Sequence, residues 1–309
     1  WGLGNTIRTE LGGTACRFID LDAETPIESI REMLANAALT SSAEDRLALR
    51  RGRWYAARLT RIPPRVPMAL PDGDYCLEQS RQGDLDGLTF VSRTVEAPGE
   101  DEVTIRVHAT GLNFRDVLNA LGMYPGDAGP LGSEVVGTIE AVGSNVTDLR
   151  AGDVVMAITP RGFCSRVNAA AALTVPVPAR MTAADAATIP IAFLTADWAL
   201  NELAGLRRGE RVLVHAAAGG VGMAAVQLAQ ATGAEIYATA GSRRKRELLR
   251  RMGVERIYDS RSTSFREEIL RDTGGEGVHV ILNSLANEFI PASLDVLSAD
   301  GRFIEIGKT

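Results

Sequence analysis

The stretch from residue 211 to residue 225 constrains this chain more than any other. Arg211-Val212-Leu213-Val214-His215-Ala216 is a nearly unbroken apolar run of strand length, the pattern of a strand buried on both faces. It leads directly into Gly219-Gly220-Val221-Gly222-Met223-Ala224-Ala225, where Gly220, Gly222 and Ala225 satisfy G-x-G-x-x-A. A helix is predicted to follow, over 223–232. Glycines at such a junction allow a tight turn and let backbone approach a pyrophosphate, while a small third residue lets helix and strand pack closely. The unpaired amides and the positive dipole end of the helix then hold the anion. A glycine-rich turn that merely lets a helix pack is the competing reading. The order strand, glycines, helix favours a dinucleotide loop, with Gly219, Gly220, Val221 and Gly222 as the candidate contacts.

The rhythm around this loop sets the fold class. Strands are predicted over 211–217, 235–240, 256–259, 278–285 and 302–307, with helices at 223–232, 243–252, 264–272 and 289–297. Alternation of this kind implies right-handed crossovers and a parallel sheet covered on both faces. The reading is an α/β, doubly wound (Rossmann) nucleotide domain over 181–309. Six strands are usual for such a domain and five are visible, so it is expected to be incomplete at its C-terminal end. Upstream, 73–180 reads as short strands separated by Gly, Pro and Asp turns. Glu102-Val103-Thr104-Ile105-Arg106-Val107-His108-Ala109 alternates strictly, which puts Val103, Ile105 and Val107 on one face. Further strands over 135–142, 154–158 and 163–167 suggest a small barrel or folded sheet. The prolines of Ile62-Pro63-Pro64-Arg65-Val66-Pro67 and Leu70-Pro71-Asp72-Gly73 interrupt both helix and strand and place a boundary near residue 72. Before it, 16–21 and 53–59 read as strands and 27–38 as a helix.

The second strand of the parallel sheet bears on the nucleotide. An NAD site usually places Asp or Glu about 20 residues after the glycines, to bind the ribose hydroxyls. Thr239-Ala240-Gly241-Ser242 stands there, followed by Arg243-Arg244-Lys245-Arg246 at the start of a helix. Cations at that end oppose the helix dipole unless an anion lies nearby. A 2′-phosphate supplies one, so NADPH is the expected cofactor. The alternative is a solvated helix face whose arginines pair with Glu247.

Composition removes other classes. A net charge of −6 over 309 residues gives no footprint for nucleic acid. No run of about 18 apolar residues suggests a membrane span. Cys16, Cys76 and Cys164 are far apart, with no CxxC pair, which fits a reducing cytoplasm without disulfides. The opening Trp1-Gly2-Leu3-Gly4 has no leader pattern and reads as the start of an excised, untargeted segment. His108, His215 and His279 are dispersed and lack a thiol-rich cluster, so no metal is expected; a core or sheet-face role is the default for each. No G-x-S-x-G elbow points to a hydrolase.

Gly111-Leu112-Asn113-Phe114-Arg115-Asp116, Leu131-Gly132-Ser133-Glu134-Val135-Val136-Gly137, Pro190-Ile191-Ala192-Phe193-Leu194-Thr195-Ala196, the 216–222 loop, Leu282-Asn283-Ser284-Leu285 and Ile306-Gly307-Lys308 occur in the order seen in medium-chain dehydrogenase/reductases. Over about 74–309 the chain most resembles the enoyl reductase domains of modular polyketide synthases and animal-type fatty acid synthases. Ser133 stands where zinc-dependent relatives have a histidine, and their cysteine before Leu112 or Asn113 is missing. Residues 1–62 resemble the structural half of a ketoreductase domain. The resemblance implies a GroES-like β-rich substrate domain beside the nucleotide domain, both expected to be truncated at the C-terminus. It implies NADPH reducing a trans-2-enoyl group carried as a phosphopantetheine thioester on an acyl carrier protein, with ketoreductase and dehydratase domains of the same synthase as neighbours. A dimer formed through the parent synthase is compatible with it.

The site residues follow from the same likeness. Lys308 is a candidate proton donor, against a surface-lysine reading of equal weight. Asn113, Thr195, Asn283 and Leu285 fall in motifs that line the nicotinamide pocket, although Asn113 and Asn283 also read as ordinary turn or strand-end residues. Ser242, Lys245 and Arg261 fall where relatives grip the 2′-phosphate. A free-standing quinone or enone reductase, and a scaffold without catalysis, are the alternative functions.

Overall fold

A computed structural model of the chain describes residues 18–21, 28, 30–31, 34–35, 46–50, 53–56 and 68–307. Lys308 and most of the helix expected over 27–38 lie outside the described residues. The chain divides into two compact units, Trp1–Pro67 and Met68–Thr309.

In the first unit, β1 (Phe18–Leu21) runs parallel to β2 (Arg46–Arg50), which pairs antiparallel with β3 (Arg53–Ala56). Leu49 is fully buried. Arg50 binds both the Asp20 carboxylate and, at 3.0 Å, its carbonyl, tying the two parallel strands together.

The second unit opens with an antiparallel pair, β4 (Tyr75–Gln79) and β5 (Leu88–Ser92). An antiparallel sheet follows, built from β6 (Glu102–Thr110), β7 (Glu134–Val142), β8 (Val154–Ile158), β9 (Arg166–Ala170) and β10 (Thr174–Pro176) in the order β10-β8-β7-β6-β9. Val103 and Ile105 are fully buried with Val135, Ile139 and Val155, and Val107 packs against that cluster. Thr104 breaks the expected alternation because a register shift falls beside it. It is buried too, and its hydroxyl donates to Asn168 Oδ1 at 2.8 Å. The strand expected over 163–167 begins only at Arg166, because Cys164 forms an isolated bridge to Cys76. These two cysteines meet side by side across 88 residues, with their sulfurs in contact, which corrects the reading that they are far apart. Local spacing could not reveal it, since β-pairing brings them together. A short helix, α1 (Phe114–Ala120), interrupts the sheet between β6 and β7.

Beyond α2 (Ala183–Ala186), α3 (Pro190–Asp197) starts with proline at its first turn, where the missing amide is tolerated, and continues into a π-helical turn, Trp198–Leu203. The remaining elements alternate: β11 (Arg211–Val214), α4 (Gly220–Thr232), β12 (Glu235–Thr239), α5 (Arg243–Arg251), β13 (Arg256–Tyr258), α6 (Phe265–Asp272), β14 (Val278–Asn283), α7 (Phe289–Leu294) and β15 (Leu297–Glu305). All pairings among these strands are parallel, in the order β13-β12-β11-β14-β15. The doubly wound α/β expectation holds. Both faces are buried as parallel sheets require: Val212, Val214, Val280 and Leu282 face one core, with the alanines of α3 and α4, while Leu213 and Ile281 face another with Tyr237 and Phe265. Among the described residues no helix is long and apolar enough to cross a membrane.

Candidate functional site

Strand order locates the site. In β13-β12-β11-β14-β15 the chain reverses direction of travel between β11 and β14, and ligands of such sheets bind beyond the carboxyl ends of the strands at that switch point. The glycine loop follows β11 and the Asn283-Ser284-Leu285 turn ends β14, so both meet there.

Gly219 is the N-cap of α4. A Cβ at Gly222 would fall 2.6 Å from both the Ala216 oxygen and Ala217 Cα, so only glycine lets the helix seat on the loop. Gly220 differs, with nothing within 4 Å of an added Cβ. Protein packing does not require glycine at that position, and the space beside it is open to a ligand. Val221 is half-buried and packs on the core. Ala216 holds φ +47°, a left-handed conformation that costs a non-glycine residue about 1–2 kcal/mol.

At the end of β14, Asn283 is fully buried and its amide is used within the protein. Nδ2 donates to the Leu285 carbonyl (2.8 Å) and to Glu305 Oε2 (2.7 Å), and Oδ1 accepts from the Leu285 amide (3.2 Å). It therefore shapes the turn that carries half-buried Leu285. The Ser284 hydroxyl in this turn is buried without a hydrogen-bond partner among the described residues. Buried polar groups are nearly always paired, so an orphaned hydroxyl here suits a ligand's polar group. Glu305 also accepts from Gly307 N at 2.6 Å, one residue before Lys308.

The end of β12 supplies the third wall. Thr239, where an NAD site carries its acid, is fully buried, with its hydroxyl bonded to His215 and Ala216. Ser242 caps α5 by accepting from Lys245 N at 3.3 Å. No acid lies in the first turn of that helix. Arg243 pairs with Glu247 and Arg246 with Asp259, whereas exposed Lys245 has no ion-pair partner among the described residues. Arg261 belongs to the same corner, because a Cβ on Gly241 would lie 3.0 Å from its Nε. Ser242 and Arg261 thus flank Gly241, and Lys245 lies in the first turn of α5, its backbone N–H bonded to Ser242.

The fourth wall comes from the β-rich half. Asn113 precedes α1, and its backbone N–H donates to Asp116 Oδ2 at 2.9 Å. Its Nδ2 donates to Glu134 Oε1 at 2.8 Å. Glu134 is buried, and its other oxygen accepts from the Ile191 amide at 2.9 Å. Burial pushes the Glu134 carboxyl above the usual carboxylate range, against the lowering effect of these hydrogen bonds. Ile191 lies in the first turn of α3 and Thr195 one turn later on the same side, so a single carboxylate orients Asn113 and anchors the helix carrying Thr195. Gly111 is obligatory beside it, since a Cβ there would lie 2.2 Å from Glu134 Oε1. Asp116 accepts from Gly132 N at 2.8 Å. Sequence reasoning singled out Asn113 and missed Glu134 and Asp116, although both stand in the same quoted motifs as acids at buried positions.

Zinc does not fit these residues. Ser133 is taken up by the Arg115 guanidinium at 2.9 Å, a cation where a metal would need a ligand. Among the described residues no three His, Cys, Asp or Glu side chains form a possible metal group.

Residues 99–183 match the family model described as alcohol dehydrogenase GroES-like domain, and 220–309 the one described as zinc-binding dehydrogenase. A mycocerosic acid synthase-like polyketide synthase of Mycobacterium tuberculosis is 39% identical over 317 residues, covering 99% of this chain and 15% of the relative. The chain thus spans about a seventh of the curated relatives it matches. Among solved structures, CurK enoyl reductase is 45% identical with TM-score 0.74, over 77% of this chain and 75% of that one. The Escherichia coli quinone oxidoreductase complexed with NADPH is 30% identical with TM-score 0.70, over 76% and 73%. Fold, motif order and these likenesses agree: the chain belongs to the medium-chain dehydrogenase/reductase superfamily, as an oxidoreductase of the polyketide-synthase enoyl reductase type.

Proposed function

We propose that this chain uses NADPH to reduce the carbon–carbon double bond of a trans-2-enoyl thioester carried on the phosphopantetheine arm of an acyl carrier protein. The observation that carries the reading is the glycine loop at the sheet's switch point, open beside Gly220, together with the lack of a ribose-binding acid at Thr239 and a Lys245 with no ion-pair partner among the described residues. The loop amides and the N-terminus of α4 would hold the diphosphate, and Ser242, Lys245 and Arg261 the 2′-phosphate. Thr195 and the Asn283–Leu285 turn would bound the nicotinamide end. When bound, NADPH supplies a hydride for the β-carbon.

Asn113 keeps one amide hydrogen beyond the bond to Glu134, and it is assigned to orienting the reacting groups. Exposed Leu112 and Phe114 flank it and suit an apolar acyl chain. Negative charge grows on the thioester oxygen as the β-carbon is reduced, so preorganised donors there lower the barrier. Lys308 is assigned the proton delivered to the α-carbon, a role that requires a water relay or a depressed pKa. Neighbouring ketoreductase and dehydratase domains of one cytoplasmic synthase would supply the substrate, and a dimer would form through that synthase. The Escherichia coli likeness supports a second reading, a quinone reductase. Mixing the protein and NADPH with a crotonyl thioester or with a quinone, and following nicotinamide absorbance, separates them. Thioester turnover is expected; quinone-only turnover would select the second reading.

A further inference from the structure

His215 is buried directly before the glycine loop, and both its ring nitrogens are engaged. Nδ1 lies 3.1 Å from Thr239 Oγ1 and Nε2 lies 2.8 Å from Ser293 Oγ. The direction of each bond can be worked out from the far end. Ser293 donates its only hydroxyl hydrogen to the Phe289 carbonyl at 2.6 Å, so its oxygen must accept from His215 Nε2–H. The imidazole is neutral, and Nδ1 is therefore the acceptor. Thr239 must then give its hydroxyl hydrogen to Nδ1, which leaves Thr239 Oγ1 to accept from Ala216 N–H at 3.1 Å. The result is one polarised chain of bonds from the glycine loop, through Thr239, His215 and Ser293, to the first residue of α7.

Each end of this chain lies beside a segment of the cofactor site. Ala216 is the left-handed residue on which the loop turns, and its carbonyl accepts from Gly219 N at 2.8 Å. Thr239 holds this turn twice, by its hydroxyl at Ala216 and by its carbonyl at Ala217 N, 3.0 Å away. At the other end, α7 follows the Asn283–Leu285 turn closely in sequence. The Phe265 ring packs edge-on against the imidazole at 5.1 Å between centroids. Burial holds the imidazole pKa down to about 4, so the neutral form that this bonding pattern needs persists throughout the neutral range.

We infer that His215 is a positioning residue for the dinucleotide: as the Nε2–H tautomer it fixes the Thr239 hydroxyl that holds Ala216 in the left-handed turn, and it ties the phosphate loop to α7. This rests on the reading of the loop as a dinucleotide site. Because the pyrophosphate is common to NADPH and NADH, the device serves both nucleotides alike, unlike Lys245.

Three variants test it: Thr239→Val removes the hydroxyl, His215→Gln keeps a donor toward Ser293 but no acceptor at the Nδ1 position, and His215→Asn keeps that acceptor and loses the donor. Kd values for NADPH and for NADH are measured by fluorescence titration on the full chain, alongside urea unfolding. Thr239→Val and His215→Gln are expected to weaken both nucleotides equally, by roughly tenfold, the effect of one lost orienting hydrogen bond. His215→Asn should stay within about threefold of wild type by the same reasoning, even though it is destabilised. A purely structural histidine would lower stability in all three and leave the Kd values of the folded protein unchanged, and that result overturns the inference. So does a loss confined to NADPH. If the histidine variants fail to fold, Thr239→Val alone decides. Wild-type protein that binds neither nucleotide would instead remove the dinucleotide reading, and the inference with it.

Discussion

Two glycines two positions apart in the phosphate loop should respond in opposite ways to the same methyl group. At Gly222 an added Cβ sits 2.6 Å from the Ala216 oxygen and from Ala217 Cα, about 0.8 Å inside ordinary contact, which begins at 3.4 Å. Those neighbours are backbone atoms of two residues whose amides are both held by Thr239, so α4 must shift as a body. Overpacking of this kind costs roughly 1–3 kcal/mol, and NADPH binding should fall with it. At Gly220 nothing lies within 4 Å and φ is not left-handed, so Gly220→Ala should leave stability unchanged or raise it by about 0.5–1 kcal/mol. The methyl would nevertheless stand in the open space assigned to the diphosphate. NADPH affinity should drop by roughly tenfold or more, equivalent to about 1.4 kcal/mol. Urea unfolding and fluorescence titration on the same preparations separate the two effects. Normal NADPH binding by a stable Gly220→Ala protein would refute the assignment of that space.

Other outcomes follow from the remaining walls. Lys245→Ala should weaken NADPH by roughly tenfold, the share of a charged hydrogen bond, and leave NADH nearly unchanged; equal losses in titrations of the two would remove the 2′-phosphate assignment. Glu134→Leu leaves the Ile191 amide and Asn113 Nδ2 without their acceptor, at about 1–3 kcal/mol for each buried group, so chemical unfolding should show a loss of several kcal/mol, and a neutral result would contradict the anchoring role. The depressed His215 pKa, about 4 against the usual 6.5, means that the unfolded chain takes up a proton before the folded chain does. Its contribution is therefore complete above pH 6.5 and lost as the pH falls toward 4, by about 3 kcal/mol. Urea unfolding across that range should show an acid limb that shrinks in His215→Gln.

The nucleotide half was legible because its signals are local. A buried-strand run, glycines and a helix lie within 15 residues of one another, and alternation fixed the parallel sheet. The antiparallel half was read only in outline: β4, β5 and α1 carry weak periodicity, and the bulge beside Thr104 arises from pairing with a distant strand. What the sequence could not show is which polar groups face one another. Glu134 meets Ile191 across 57 residues and His215 meets Ser293 across 78, and the Cys76–Cys164 pairing spans 88. Such contacts depend on how separate elements stack, which no spacing rule encodes. The same limit applies to Asn283, singled out by its motif as a candidate site residue, whose amide the structure shows engaged in holding its own turn.

The most direct test of the proposed chemistry is to supply NADPH deuterated at the transferable position together with a crotonyl thioester, and to locate the label in the product by NMR. Deuterium on the β-carbon, with a solvent-derived proton on the α-carbon, is the predicted result. Label that never leaves the nicotinamide in the presence of thioester, while wild-type protein binds NADPH and passes the label to a quinone, would contradict it.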